Sequence, residues 1–399
     1  MAAGTMKVSP DARRFTVNIP QEALDDLKAR LALTRWPAEP DDAAWQYGSN
    51  GGYMRRFVAR WRDGFDWRAW EAKLNRFEQY IVLLKRADTG GLQNVHVVIE
   101  RGSGSNPRPL LLSHGWPGSV LEFIDVIEKL AHPERFGGKA EDAFTVICPS
   151  LPGYGFSMPL SRPISPRVIA RLWRDLMVES LGFERFFAQA GDWGSIVSSW
   201  LGVDHADHVA ALHLNMVPLR PPLTKDGAPL SEAEKAWIGR VKAIQATETG
   251  YHAIQATKPT TLGYGLSDSP AGLAGWIVEK FHGFSRASVD RAPPFDMDHL
   301  MANIALYWLT DTAAASTWIY WAAGRSGDLA LKPGEFVSPP TAFLLPPWDL
   351  VPPPPQGWLA RGYNVVRQRD LEHGGHFVAM EQPDIFVADV QDFFRGHSL

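Results

Sequence analysis

The sequence predicts an α/β protein with a mostly parallel central sheet, and three observations along the chain support this class. Short apolar segments alternate with amphipathic ones through the middle of the chain. The alternation then stops in a long helical stretch, and strand-like segments return before the C terminus. Because alternating strands and helices build a parallel sheet covered on both faces, we expect one sheet-centred core with a helical insertion.

The N-terminal segment, residues 1–92, is predicted to be mainly helical and to include the first strand of the sheet. Leucines three and four positions apart share one face of its first helix, which the pair Trp36-Pro37 stops. The predicted elements here are helices over 21–33 and 66–77 and a strand over 80–84, which forms a hairpin with a strand over 95–100 at the start of the core.

A regular alternation of strand and helix defines residues 93–217 as the first part of the core. Each short apolar strand is followed by a segment that can be helical. The predicted strands cover 109–113, 144–148, 186–189 and 209–214, and the helices begin at Ser119, Ser165 and Ser195.

A helical cap is predicted over residues 218–328, inserted after the sixth strand. Helical patterns with no strand between them cover 231–258, 269–282 and 297–323. Strand signals return at 341–345 and 364–368, so residues 329–399 complete the core. An insertion at this point lies over the carboxyl ends of the strands, where open sheets bind ligands.

Composition excludes several classes of protein. The net charge is only -4 and no run of Lys and Arg is present, so we expect no nucleic-acid partner. No stretch reaches about 18 apolar residues, and residues 1–20 lack the pattern of a signal peptide, so no membrane anchor is expected. The single cysteine, Cys148, excludes an internal disulfide and favours a reducing, cytoplasmic location.

The most informative motif is Gln189-Ala190-Gly191-Asp192-Trp193-Gly194-Ser195. An apolar strand precedes it, a buried helix can follow it, and its small residues allow a tight turn. This is the pattern of a nucleophile elbow, which lifts one side chain above the end of a sheet. Asp192 replaces the usual Ser, and a carboxylate can attack an sp3 carbon to form an ester that water then cleaves. The motif therefore indicates an epoxide or an alkyl halide as substrate.

An acid and a histidine follow the elbow in the chain order typical of α/β-hydrolases, as Asp192, Asp349 and His376. His376 lies in a glycine-containing loop after the last predicted strand, where its imidazole would deprotonate water. Asp349 would hold the histidine tautomer and stabilise the imidazolium. An Asp after prolines is also a natural helix N-cap, so Asp370 and Glu372 stay open as the acid; His373 is the competing histidine.

An oxyanion hole is predicted in His114-Gly115-Trp116-Pro117-Gly118-Ser119, which follows the strand ending at Ser113. The loop can direct the backbone N–H of Trp116 at the elbow. Together with the N–H of Trp193 it would stabilise the charge that develops during ester hydrolysis. Pro117 is a candidate for a cis peptide bond.

An epoxide hydrolase also requires an acid, because the opening epoxide leaves as an alkoxide. A tyrosine hydroxyl can donate this proton and is neutral at rest. The predicted cap contains four candidates, between which the composition does not decide: Tyr251, Tyr264, Tyr307 and Tyr320.

The chain resembles the microsomal-type epoxide hydrolases of the α/β-hydrolase fold along nearly its whole length. This resemblance implies that the N-terminal segment wraps the core. It also implies that Asp192 is the nucleophile, His376 the base and Asp349 the acid partner, with Tyr251 and Tyr320 as the cap tyrosines. The matching strings are Arg35-Trp36-Pro37, His114 to Ser119, Leu151-Pro152-Gly153-Tyr154-Gly155-Phe156-Ser157, Gly191 to Gly194, Gly250-Tyr251, Gln255 to Pro259, Asp268-Ser269-Pro270, Tyr307-Trp308-Leu309-Thr310 and Gly374 to Phe377.

Three functions are compatible with these sequence features. The first is an epoxide hydrolase that opens an apolar or aryl epoxide to a vicinal diol through an Asp192 ester; the 16 Trp residues favour such a substrate. The second is a haloalkane dehalogenase, which would not need the tyrosine pair, and the third is a non-catalytic binding protein of the same fold. We expect a small epoxide and water as partners and neither cofactor nor metal, and a homodimer is left open.

Overall fold

A nine-stranded sheet forms the centre of the computed structural model, which describes residues 6–221, 229–285 and 290–399. Across the sheet the strands run in the order β1-β2-β3-β5-β4-β6-β7-β8-β9. The pairs β1-β2, β2-β3 and β3-β5 are antiparallel, and the other five of the eight pairs are parallel. The predicted α/β class is therefore confirmed. The strands are β1 (Arg13–Arg14), β2 (Glu78–Lys85), β3 (Leu92–Glu100), β4 (Arg108–Ser113), β5 (Phe144–Pro149), β6 (Phe186–Ala190), β7 (Val209–Leu214), β8 (Val337–Leu345) and β9 (Tyr363–Asp370).

Fourteen α-helices accompany the sheet in the described part of the chain. They are α1 (Gln21–Ala32), α2 (Gly51–Asp63), α3 (Trp67–Leu74), α4 (Ile127–Ala131), α5 (Pro166–Asp175), α6 (Asp192–Asp204), α7 (Glu232–Glu248), α8 (Gly250–Thr257), α9 (Pro259–Asp268), α10 (Pro270–Phe284), α11 (Met297–Leu309), α12 (Trp318–Ser326), α13 (Val378–Glu381) and α14 (Pro383–Arg395). Short 3₁₀ turns lie at Val120–Phe123, Pro133–Phe136, Ala140–Asp142, Ala315–Thr317 and Leu359–Arg361, and a π turn lies at Leu176–Ser180.

The strand register brings the loops of the site to one edge of the sheet. Ser113, the last residue of β4, pairs with Ala190, the last residue of β6, and Ala190 pairs with Leu214 at the end of β7. Every residue of β5, β6 and β7 is buried. Helices cover both faces of such parallel strands, which explains their mostly apolar sequence.

The helical insertion follows the seventh strand of the chain and not the sixth. The additional strand is β1, in which Arg13 and Arg14 pair with Ile81 and Tyr80 of β2. Two exposed arginines lack the apolar alternation that identifies a strand from sequence. Their extended structure depends on pairing with the edge of the sheet, so the sequence gives no local sign of it.

Six helices, α7 to α12, separate β7 from β8. The helix predicted over 231–258 is broken at Thr249, and the one predicted over 297–323 ends at Leu309 and resumes at Trp318. Helix α9 was not predicted, because Gly263 and Gly265 weaken its pattern. Parts of the predicted N-terminal and cap segments, residues 1–5, 222–228 and 286–289, lie outside the described residues.

The N-terminal helices pack against the insertion. Arg60 of α2 binds Asp298 of α11 through two hydrogen bonds of 2.6 Å, and the Ser49 hydroxyl donates to the carbonyl of Gly275 in α10 at 2.6 Å. Trp45 stacks on the ring of His282 with centroids 4.0 Å apart. Within the described ranges, no helix is both long and apolar enough to span a bilayer.

Candidate active site

Asp192 occupies a strained position between β6 and α6. Its φ is 44°, in the left-handed region that costs a residue with a side chain about 1–2 kcal/mol. Gly194 keeps the turn tight, because a Cβ there would lie 2.0 Å from the carbonyl oxygen of Ser113. The strain and the close approach together lift the Asp192 carboxylate above the end of the sheet, as an elbow requires.

The loop after β4 places a hydrogen-bond donor on this carboxylate. The backbone N–H of Trp116 donates to Oδ1 of Asp192 at 2.8 Å, and the Trp116–Pro117 peptide bond is cis. Trp193 forms no such bond to Asp192 among the described residues; its ring packs edge-on against Tyr320 with centroids 4.6 Å apart. Of the two predicted oxyanion donors, Trp116 is the one in contact with the carboxylate.

The side chain of His114 fixes the start of this loop. Its Nε2 accepts the N–H of Leu151 at 3.1 Å, so the proton is on Nδ1, which donates to the carbonyl of Gly115 at 3.0 Å. Burial lowers the pKa of His114 to about 4, so the ring is neutral near pH 7. His114 therefore fixes the backbone of the loop that carries the Trp116 N–H.

Helix α11 holds the same loop from the other side. The Asn303 amide donates to the carbonyl of Pro117 at 2.7 Å and accepts the hydroxyl of Ser119 at 2.7 Å. The Tyr307 hydroxyl donates to the carbonyl of Gly118. The hydroxyl of Tyr307, one of the four candidate acids, is therefore already hydrogen-bonded to this loop. Asn303 was missed in the sequence, where a single Asn in a buried helix carries no distinctive signal.

His376 lies between two carboxylates. Its Nε2 is 3.2 Å from Oδ2 of Asp192, and its Nδ1 is 2.9 Å from Oδ1 of Asp349. Among the described residues, Asp349 is therefore the acid that contacts Nδ1 of His376, whereas Asp370 and Glu372 do not contact it. Burial lowers the pKa of His376, but the charges of Asp349 and Asp192 outweigh burial and raise it well above its ordinary value.

Glu381 braces the loop that carries His376. Its two carboxylate oxygens accept the N–H groups of Gly375 at 2.8 Å and Phe377 at 3.0 Å, and the N–H of His376 itself donates to the carbonyl of Phe284 at 3.0 Å. Burial raises the pKa of Glu381 to about 7, although these two bonds oppose it. Sequence reasoning missed this residue; an isolated acid a few positions after a Gly-Gly-His loop is the signal that indicates it.

Two of the four candidate tyrosines face the elbow. Tyr251 of α8 stacks on Trp116 with centroids 5.1 Å apart, and Tyr320 of α12 lies 5.8 Å from Tyr251, ring to ring. Burial, and then the nearby charges that include Asp192, raise the pKa of both phenols above the ordinary value. Both are therefore protonated donors at neutral pH. Tyr264, by contrast, is 79% exposed.

The Asp192 carboxylate contacts the imidazole of His376, and the phenols of Tyr251 and Tyr320 pack against Trp116 and Trp193. One oxygen of Asp192 is held by an N–H, and the other faces His376. An electrophilic carbon next to an oxygen could sit between this carboxylate and the hydroxyls of Tyr251 and Tyr320. In the described ranges, no group of three or more His, Cys, Asp or Glu side chains is placed to hold a metal ion.

Sequence comparisons relate the chain to proteins with this chemistry. A family profile described as "Epoxide hydrolase N terminus" matches residues 12–123, and one described as "alpha/beta hydrolase fold" matches residues 108–243. A protein of Stigmatella aurantiaca named "Putative epoxide hydrolase" is 40% identical over 96% of this chain and 84% of its own length. "Epoxide hydrolase 1" of Sus scrofa is 33% identical over 96% of this chain and 88% of its own.

Structural comparisons also give epoxide hydrolases. Juvenile hormone epoxide hydrolase from the silkworm Bombyx mori superposes with a TM-score of 0.84 at 27% identity, over 98% of this chain and 95% of that one. The Aspergillus niger epoxide hydrolase superposes with a TM-score of 0.80 at 31% identity, over 98% of both chains. These matches span core and insertion alike.

Proposed function

Because the chain belongs to the epoxide hydrolase family and is an epoxide hydrolase, we propose that Asp192 opens its substrate by forming an ester with one epoxide carbon. The observation that carries this proposal is the unequal environment of the two Asp192 oxygens. Oδ1 accepts the Trp116 N–H, whereas Oδ2 faces His376 and is the oxygen available for attack. Family membership sets aside the dehalogenase and the non-catalytic alternatives.

In the first half of the reaction Oδ2 attacks a ring carbon of the epoxide. The bond between that carbon and the epoxide oxygen breaks, and its electron pair stays on the oxygen. The resulting alkoxide takes a proton from Tyr251 or Tyr320, whose hydroxyls are protonated near pH 7. The products of this half-reaction are a hydroxyalkyl ester of Asp192 and a tyrosinate. The tyrosinate takes the proton of the His376 imidazolium, so the imidazole is neutral once the charge of Asp192 is lost.

In the second half His376 takes a proton from water, and the water oxygen bonds to Cγ of Asp192. Asp349 stabilises the imidazolium through its contact with Nδ1 at 2.9 Å. The negative charge of the tetrahedral intermediate collects on Oδ1, where the Trp116 N–H is already in place. Collapse breaks the bond from Cγ to the alkylated oxygen, and the departing diol takes the proton from His376. The proton that remains on the Asp192 carboxyl then passes to His376, which restores the starting ion pair.

The substrate class that the site favours is an apolar or aryl epoxide. Aromatic rings surround the carboxylate, with Trp116 stacked on Tyr251 and Trp193 edge-on to Tyr320. Rings of this kind exclude water and bind apolar groups, while the phenol hydroxyls fix the position of the oxygen.

The remaining expectations from the sequence belong to the same proposal. We assign residues 218–328 to the cap and residues 1–92 to the N-terminal segment, with water and a small epoxide as the reaction partners. A cytoplasmic location agrees with a single, buried cysteine, Cys148. Cell fractionation with a reporter fusion tests that location.

A single turnover in ¹⁸O-water with enzyme in excess tests the covalent mechanism, with styrene oxide as the probe. The diol should be mostly unlabelled, because its new oxygen comes from Asp192, and the label should appear in the peptide that carries Asp192. Asp192→Ala should form neither adduct nor diol. Fully labelled diol in the first turnover overturns the covalent mechanism.

A further inference from the structure

Glu122 is a carboxyl group beside the site that the mechanism above does not use. It lies in the 3₁₀ turn Val120–Phe123, directly after the loop that carries Trp116. Its Oε2 is packed against Gly118, since a Cβ built on that glycine would lie 2.5 Å from this oxygen. The backbone that presents the oxyanion donor therefore also fixes the place of the Glu122 carboxyl.

The turn that carries Glu122 packs against α13, the helix that begins two residues after His376. The charges that act on it come from three separate loops and helices, through His376, Asp192 and Glu381. Burial raises the pKa of Glu122 to about 8. The charges of Asp192 and Glu381 add smaller upward effects, and the charge of His376 opposes the shift. The group is therefore predominantly a neutral carboxylic acid at pH 7, and it adds no second negative charge beside Asp192.

The carboxyl of Glu122 forms no hydrogen bond with any of the residues that the structure describes. Its side chain is only partly buried, so it retains some accessible surface. Polar groups at such depth are satisfied by protein or by ordered water, because an unsatisfied one costs about 1–3 kcal/mol. Water is thus the partner that the surroundings of Glu122 leave for it.

The second half of the reaction needs a water molecule held by two acceptors. One O–H must point at Nε2 of His376, which takes its proton, and the oxygen must face Cγ of Asp192. The other O–H stays on the oxygen and requires an acceptor of its own in this desolvated site. The carboxyl of Glu122, on the turn that follows the Trp116 loop and packs against α13, can supply that acceptor.

We propose that Glu122 positions the hydrolytic water between His376 and the Asp192 ester. This inference rests on the covalent mechanism proposed above and assigns Glu122 to its second half only. Glu122 does not change protonation during the step: the water gives one proton to His376, keeps the other, and forms its new bond to Cγ of Asp192.

Rapid-quench kinetics with styrene oxide, read by intact-protein mass spectrometry, separate formation of the adduct from its decay. Glu122→Met removes the acceptor, so decay should slow by about tenfold or more while formation stays within about twofold of the wild type. Glu122→Gln keeps a carbonyl acceptor and should restore most of the decay rate. The matched control is Glu128→Met, a partly exposed Glu of α4 paired with Arg135 at 3.0 Å, which should leave both rates unchanged.

Five outcomes would overturn the proposal. Wild-type decay in Glu122→Met, equal slowing of formation and decay, or a Glu122→Gln variant as slow as Glu122→Met each overturn the role of Glu122. Absence of any adduct in both the wild type and His376→Ala instead removes the covalent mechanism, and this inference with it. Should Glu122→Met not fold, Gly118→Ala is the second test, because its methyl group displaces the Glu122 oxygen and should slow decay; unchanged decay in that variant also overturns the proposal.

Discussion

The backbone N–H of Trp116 donates to Oδ1 of Asp192 at 2.8 Å, and this bond makes the two oxygens of the carboxylate different before any substrate arrives. Oδ1 is the oxygen on which charge should collect in ester hydrolysis. Oδ2, which faces His376 at 3.2 Å, is the oxygen that should leave with the first diol. The predictions below follow from this division.

His376→Ala should still form the ester and then stall, because the nucleophile is already a carboxylate and only the water needs a base. Intact-protein mass spectrometry after addition of styrene oxide should show a persistent adduct of one substrate mass. His373→Ala is the matched control: His373 is exposed in the same loop and should turn over like the wild type. Normal turnover by His376→Ala would show that another group is the base.

Tyr251→Phe and Tyr320→Phe should each slow ester formation, and the double variant should slow it much more, because each removes one donor to the epoxide oxygen. A general acid contributes typically ~10²–10⁴-fold, measurable as the rate of adduct formation in rapid-quench experiments. Tyr264→Phe is the suitable control, since that ring is 79% exposed. Tyr307→Phe is not, because its hydroxyl holds the carbonyl of Gly118. Single variants with unchanged rates would exclude the pair as acids.

The pKa of His376 should be lower in the alkyl-enzyme than in the free enzyme. Burial lowers it and the charges of Asp349 and Asp192 raise it, and esterification removes the charge of Asp192. Ester hydrolysis should therefore increase with pH around a midpoint below the pKa that NMR gives for His376 in the free enzyme. Asp192→Asn, a neutral mimic of the ester, should show the same fall in the NMR titration. An equal or higher value in that variant would contradict the assignment.

Glu122→Gln should become more stable than the wild type as pH rises. The pKa of Glu122 is raised from 4.5 to about 8 in the folded chain, so below pH 4.5 the group is protonated in both states. Between these values the unfolded chain releases the proton and the folded chain keeps it, so the wild type loses stability with rising pH. The difference in free energy of unfolding should be near zero at about pH 4 and reach a few kcal/mol at about pH 8. Urea unfolding at a series of pH values measures it, and a difference independent of pH would contradict the raised pKa.

Local patterns account for the parts of the fold and site that the sequence predicted well. Strands such as β6 are mostly apolar because both faces are covered, and this leaves a direct trace in composition. Asp192 and Trp116 lie in short glycine-containing turns whose backbone requirements are local as well. Helix α9, whose glycines weaken the pattern, and the exposed pair Arg13-Arg14 of β1 leave no such trace.

The remaining site residues depend on the tertiary path of the chain. The residues of one helix do not reveal that Tyr320 faces the elbow while Tyr264 faces solvent, since this follows from how α9 and α12 pack. Glu381 and Glu122 are ordinary acids in the sequence. The contacts of Glu381 with the His376 loop, and of the Glu122 turn with α13, become visible only when the loops after β4 and β9 meet at one edge of the sheet.

The hydrogen bonds from the insertion to the core have a practical consequence for engineering. Asn303 and Tyr307 hold the loop of the oxyanion donor, and the carbonyl of Phe284 holds the backbone of His376. The helices that shape the pocket are thus also part of the scaffold that aligns the reacting groups. A chimaera that exchanges this region for that of a relative, in order to change selectivity, should preserve turnover only if these three contacts are transplanted with it.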